Sequence, residues 1–215
     1  MRAVLRLALI AGFAAMPGWA GLALVQGTFA DDSSSALIPF SVTGTQLVTV
    51  QSYGYAGGIV PTLPTPTIIP SGGFAPNAYL FDGAGNEITS DNGGHCGITV
   101  ADSTTGNCDD PYFQETLPAG FYTLAIVEWD NVSNGAQSDG FRQDGNPGFT
   151  CAEFGLSGNF CDVTTALGTP RNGNYAFAIS GATEVGAVPE PATLPLAFVT
   201  CLLGFIFRAR RFSFR

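Results

Sequence analysis

Between its two ends, this 215-residue chain holds no sustained hydrophobic period of 3.6, but several short stretches hold a period of two. In 121–129, Phe121, Thr123, Ala125, Val127 and Trp129 fall on one side, because successive side chains of an extended strand point to opposite faces. Apolar stretches at 22–29, 36–42, 46–55, 78–82, 113–117, 121–130 and 175–180 all read as strands. Gly, Asn, Asp or Pro punctuates them about every 8–15 residues. The fold class that follows is all-β, an antiparallel β-sandwich.

Two stretches do not fit this pattern. Residues 57–73 contain Pro61, Pro64, Pro66 and Pro70 and read as a long extended loop. Residues 131–171, rich in Gly, Asn and Asp, leave space for one or two short strands at most. Leu117-Pro118-Ala119-Gly120-Phe121 reads as a tight hairpin turn, with Pro118 and Gly120 at turn-compatible positions.

Both ends carry signals rather than core. Arg2 and Arg6, the apolar residues 7–15 and the small-x-small Gly18-Trp19-Ala20 make a secretory leader, read as a signal helix over 1–20. The β-sandwich is expected over 21–187. At the other end, Val188-Pro189-Glu190-Pro191 is incompatible with helix, because proline fixes φ and lacks an N–H. An apolar run over 192–207 follows, then Arg208, Arg210, Arg211 and Arg215. As a transmembrane helix the run would span about 24 Å, short of the roughly 30 Å of a bilayer core. The arginines would stay inside, which leaves the rest of the chain outside.

The order of this tail resembles the PEP-CTERM sorting signal of bacterial surface proteins over 188–215. The resemblance implies processing by an exosortase-type enzyme at Val188, Pro189, Glu190 and Pro191, with Arg208, Arg210 and Arg211 as the membrane-stop cluster. It also implies passage through the inner membrane to the cell surface or an exopolysaccharide matrix.

The region between the signals is strongly acidic. Nearly all 17 acidic residues lie there, against Arg142 and Arg171 alone, and the chain has no lysine. It is therefore more acidic than the −9 of the whole chain. Such a surface repels polyanions, so no nucleic-acid partner is expected.

A second resemblance covers roughly 25–130. Its residues are Gly27-Thr28-Phe29 with Asp31-Asp32, Gly72-Gly73-Phe74, Tyr79-Leu80-Phe81-Asp82 with Gly85-Asn86, and Leu117-Pro118-Ala119-Gly120-Phe121-Tyr122. Together they are similar to the bacterial pre-peptidase C-terminal-like domains. That family implies a jelly-roll-like sandwich and a binding or accessory role. This chain departs from it at Asp91-Asn92-Gly93-Gly94 and in the cysteine-bounded insertion that follows.

Cys96, Cys108, Cys151 and Cys161 would meet an oxidising compartment, and four cysteines allow three connectivities. Their spacing favours Cys96–Cys108 and Cys151–Cys161; Cys201 lies in the apolar run. Zinc is disfavoured, because there is no close Cys-x-x-Cys and His95 is the one histidine. His95 reads as an exposed loop residue, and no hydrolase or phosphate-loop motif occurs. Acid pairs for glycoside hydrolysis could form only in space, among Glu87, Asp91, Glu115 and Glu128. Weak Ca²⁺ is the one cofactor reading, with Asp91, Asn92, Asp102, Asp109 and Asp110 as ligands beside Asp82; solvated acidic loops are the alternative. The sequon Asn131-Val132-Ser133 is not expected to be glycosylated on a bacterial export route.

The expectation is therefore a non-catalytic exported protein associated with the membrane in transit and with exopolysaccharide. Its rivals are a carbohydrate-binding module using Tyr53, Tyr55, Tyr79, Tyr112 or Trp129, and an extracellular hydrolase.

Overall fold

The computed structural model describes residues 21–186. The leader, the Pro189–Pro191 motif with Val188 and Glu190, the apolar run with Cys201, and Arg208, Arg210 and Arg211 lie outside the described residues.

Eleven strands form: β1 (Ala23–Thr28), β2 (Ser35–Val42), β3 (Gln46–Ser52), β4 (Gly58–Val60), β5 (Thr67–Ile69), β6 (Pro76–Asp82), β7 (Glu87–Asp91), β8 (Tyr112–Leu117), β9 (Gly120–Glu128), β10 (Asn174–Ser180) and β11 (Glu184–Val185). Every pairing between them is antiparallel. One sheet has the order β1-β10-β3-β8, the other β11-β2-β9-β6-β7.

The alternation seen in the sequence becomes the core. Ile38, Phe40 and Val42 of β2, Leu80 of β6, and Leu124 and Ile126 of β9 meet Val48 and Val50 of β3, Phe113 of β8, and Phe177 and Ile179 of β10. Side chains from both sheets thus fill one apolar layer, as in a β-sandwich. Fully burying each of the large ones contributes about 1.5–3 kcal/mol. On β2 the intervening Leu37 and Pro39 are exposed, so that strand shows the clean period of a one-sided strand.

The central strand β9 is buried on both faces. Tyr122, Leu124 and Ile126 enter the main core, while Ala125 and Val127 pack outward with Tyr79, Phe81 and Phe141. Phe141 comes from 131–144, which the sequence left irregular. It folds back over the sheet through a bridge between Ser133 and Phe141 and the Arg142 N–H donating to Val132 O at 2.9 Å.

Two expectations are corrected. The 57–73 loop contains an antiparallel ribbon, β4 with β5, whose Val60 and Ile69 cover Ala176 and Ala178 on the outer face of the first sheet. Its prolines sit outside the paired residues, where a missing N–H breaks no ladder bond. The 117–121 segment is not a hairpin: β8 pairs with β3 in one sheet and β9 with β2 and β6 in the other. It is an arch between the sheets, because Leu117 and Tyr122 both point into the shared core. The Tyr122 hydroxyl donates to Pro118 O at 2.8 Å and closes this corner.

Both favoured disulfides are present. Cys96 and Cys108 are 12 residues apart with Cα atoms at 5.2 Å, and Cys151 and Cys161 are 10 apart at 4.8 Å. The first clips the connection from β7 to β8, the second the connection from β9 to β10.

Candidate functional site

The outer face of the second sheet ends in a recess. Asn77 and Tyr79 of β6 point into it together, being two apart on a strand. Ser90 is the cross-strand partner of Tyr79 on β7. Trp129, just past β9, forms one wall, with its backbone N–H donating to Ala75 O at 2.8 Å and its side chain packed against Tyr55, Ala56 and Ala75. Asp91, Asn92, Asp130 and Val132 complete a cavity of about 290 Å³, close to the lower end of the roughly 300–1,000 Å³ range of small-molecule sites.

The polar groups of the recess are of two kinds. The charged ones are matched: Asp91 Oδ1 accepts from Gly93 N at 2.8 Å and Tyr112 N at 3.1 Å, and its Oδ2 meets His95 Nε2 at 2.6 Å. Asp130 holds φ at 73°, in the left-handed region that Asp tolerates better than most residues, and its carboxylate pairs with Arg142. Asn77 is different. It is 4% exposed, its Nδ2 donates to the Tyr79 hydroxyl at 3.3 Å, and its Oδ1 has no partner. Leaving a buried amide oxygen unpaired costs about 1–3 kcal/mol. Burial also raises the Tyr79 phenol above its ordinary value, so its proton stays on.

A second polar cluster lies inside the sandwich end, and the sequence did not show it. Arg171 donates from Nε and Nη2 to Asp162 Oδ2 at 2.9 and 2.7 Å, and from Nη1 and Nη2 to Asp102 at 3.3 Å. Its side chain is 5% exposed. The Tyr55 hydroxyl donates to Asp162 Oδ2 at 2.9 Å. Burial pushes the Tyr55 phenol up to about 12. Burial alone would raise the Asp102 carboxyl too, but Arg171 and the Thr104 and Thr105 amides outweigh it and hold the carboxyl below the usual value.

Glu128 is 1% exposed on the inner face. Burial first, then the fields of Asp32 and Asp162, push its carboxyl well above the ordinary range, against a smaller opposing pull from Arg171. Its Oε2 has no partner. Asp110, also buried and raised chiefly by burial, accepts from the Ser52 hydroxyl at 2.6 Å and from the Tyr55 and Ala56 amides at 3.1 and 2.8 Å. Asp32 ties the 148–150 turn, accepting from Thr150 N at 2.8 Å and the Thr150 hydroxyl at 2.7 Å.

The calcium set of Asp91, Asn92, Asp102, Asp109 and Asp110 is therefore dispersed. Asp102 faces Arg171, Asp110 faces the 52–56 turn, and Asp91 faces His95. Among the described residues no group of three or more His, Cys, Asp or Glu is placed to hold a metal ion. Of the four acids considered for hydrolysis, Glu87 is exposed on β7, Asp91 ends β7, Glu115 lies on β8 of the other sheet, and Glu128 is inside. The five aromatics form no exposed strip: Tyr55 is 0% and Tyr79 7% exposed, with Tyr53, Tyr112 and Trp129 half-buried. Tyr79 and Trp129 alone of the five line the recess. His95 is paired with Asp91 rather than free. Asn131 of the sequon is fully buried, with Oδ1 accepting from Gln143 N at 2.6 Å.

Asp162 and Asn77 carry no signal in the sequence, and Arg171 and Asp32 stand out there only by charge and by motif, with no partner indicated. One signal was available for Arg171: it is one of two cations in a lysine-free acidic region, and a lone arginine there has many carboxylates competing for it. No protein-family model matches the chain, and no curated protein shows significant similarity to it.

Proposed function

We propose that this chain is an exported, non-catalytic protein of the cell surface or extracellular matrix, sorted by an exosortase-type enzyme and associated with exopolysaccharide. The observation that carries this reading is the tail: Val188-Pro189-Glu190-Pro191, an apolar run and an arginine cluster, behind an acidic, lysine-free β-sandwich. Two disulfides support it, since such bonds persist in oxidising compartments. In this reading Glu190 is a recognition element, Arg208, Arg210 and Arg211 hold the segment until cleavage, and the sandwich has jelly-roll-like wiring. No cofactor is part of the proposal. Any Ca²⁺ bound near 91–110 would have to use Asn92 and Asp109, since the other carboxylates already have protein donors.

Intact-mass measurement of the protein released from the cell surface tests it. A mature chain that begins near Gly21 and ends near Pro189–Pro191 is expected. A chain that keeps residues 194–215 is merely anchored, and the sorting reading fails.

A further inference from the structure

We propose that the recess between Asn77, Tyr79, Ser90 and Trp129 binds a neutral saccharide. The inference rests on the reading of an exported protein in contact with polysaccharide, and it places that contact at one site.

The lining selects the ligand class. Asp91 has hydrogen-bond partners on both carboxylate oxygens, and Asp130 is paired with Arg142, so both acids of the cavity are already engaged by this chain. No lysine exists in the chain, and both arginines of the described region are held by carboxylates, so it offers nothing to a uronate or sulfate either. What it does offer is neutral. Asn77 lines the floor with a side chain that is 4% exposed, and its amide oxygen is buried there without a partner. Ser90 and Asn92 add a hydroxyl and an amide at the rim, and Tyr79 a phenol that stays protonated.

Trp129 gives the cavity an aromatic wall already immobilised by packing on Tyr55, Ala56 and Ala75, so little ordering entropy is lost on binding. An aromatic surface beside a few convergent neutral donors and acceptors suits a ring with C–H faces and an edge of hydroxyls. A sugar hydroxyl that reaches Asn77 Oδ1 through a rotation of the amide would give this buried acceptor its donor. A purely apolar ligand would leave it unpaired, and a polyanion would meet an acidic surface with no cation.

Trp19 lies in the leader, which makes Trp129 the one indole of residues 21–215 and a direct reporter of the cavity. The test titrates the full chain, recovered from an exporting host, with cello-, manno-, galacto- and malto-oligosaccharides. Oligogalacturonate is the charged control and indole emission the readout. At least one neutral series should give a saturable change, and the uronate none. Asn77→Ala should weaken binding about tenfold, the equivalent of ~1.4 kcal/mol. Ser90→Tyr, at an exposed rim position, should abolish binding while the melting curve stays that of the parent. No response to any neutral series overturns the proposal, as does a response that survives Ser90→Tyr or is matched by the uronate. A chain that co-fractionates with exopolysaccharide yet fails this titration loses the site and keeps the matrix reading. A chain that binds here but is not exported does the reverse.

Discussion

The Arg171 guanidinium carbon sits 4.0 Å from the centre of the Tyr55 ring, while the hydroxyl of that ring and the guanidinium share Asp162 Oδ2. One cation thereby joins three chain segments: the 52–56 turn, the loop bearing Asp102 and the Cys96–Cys108 clip, and the loop bearing Asp162 after the Cys151–Cys161 clip. A buried guanidinium is stabilised over Tyr55 by its ring quadrupole and by the two carboxylates, but only while all partners remain. Arg171→Leu should therefore cost about 3–5 kcal/mol in denaturant unfolding, since it leaves Asp102 and Asp162 buried without a cation. A loss below ~1 kcal/mol, the size of a surface pair, would show that the cluster does not hold these loops.

Glu128 should make stability fall as pH rises. Its folded carboxyl titrates well above the unfolded value, because burial, Asp32 and Asp162 all oppose its charge. The neutral form is accommodated in both states below the unfolded value of about 4.3. Above that the unfolded chain releases the proton first, and the folded state loses ground until its own carboxyl ionises. The advantage of Glu128→Gln over the parent should widen from about pH 4.5 upward and then level off. Parallel profiles of denaturation midpoint against pH would refute this. Asp102, held below its ordinary value, acts in the opposite sense and loses its contribution only in more acid solution.

Gly27→Ala should destabilise the edge strand β1. Gly27 faces Tyr175 across the β1–β10 pair, and a Cβ there would overlap the Tyr175 ring and hydroxyl. Tyr175 is 6% exposed and its ring lies tilted against Phe29 at 4.9 Å between centroids, so it has little space to move. Overpacking of this kind costs about 1–3 kcal/mol. Thermal melts would detect it, and an unchanged melting temperature would mean that Tyr175 swings aside freely.

Tyr122→Phe tests the arch between the sheets. It removes one hydrogen bond, to Pro118 O, and leaves the ring in the core against Phe40. The expected loss is about 0.5–1.5 kcal/mol with unchanged cooperativity. If the corner is instead closed by packing alone, the variant will unfold at the parent's midpoint.

Seven strands were legible as residue patterns, because alternation is a local consequence of burying one face of an extended chain, as Ile38, Phe40 and Val42 show against Leu37 and Pro39. The disulfide pairs were legible for a similar reason, since partners 10 and 12 residues apart need little chain closure. The short strands β4, β5, β7 and β11 were not. They are two to five residues long, too short to show a period of their own.

The sites depended on distance along the chain. Asn77 and Trp129 meet in one cavity because β6 lies beside β9, with Asn77 opposite Val127. Asp102 and Arg171 are 69 residues apart, and nothing in either neighbourhood names the other. The turn at Pro118 reads locally as a hairpin, and only the pairing of β8 with β3 and of β9 with β2 makes it an arch. Patterns within a dozen residues record which face is buried, so class, strands and staples stood in the sequence. Which carboxylates are neutralised, which amide is left without a partner and where a ligand fits depend on strands meeting across the sandwich, and tertiary packing alone decides that.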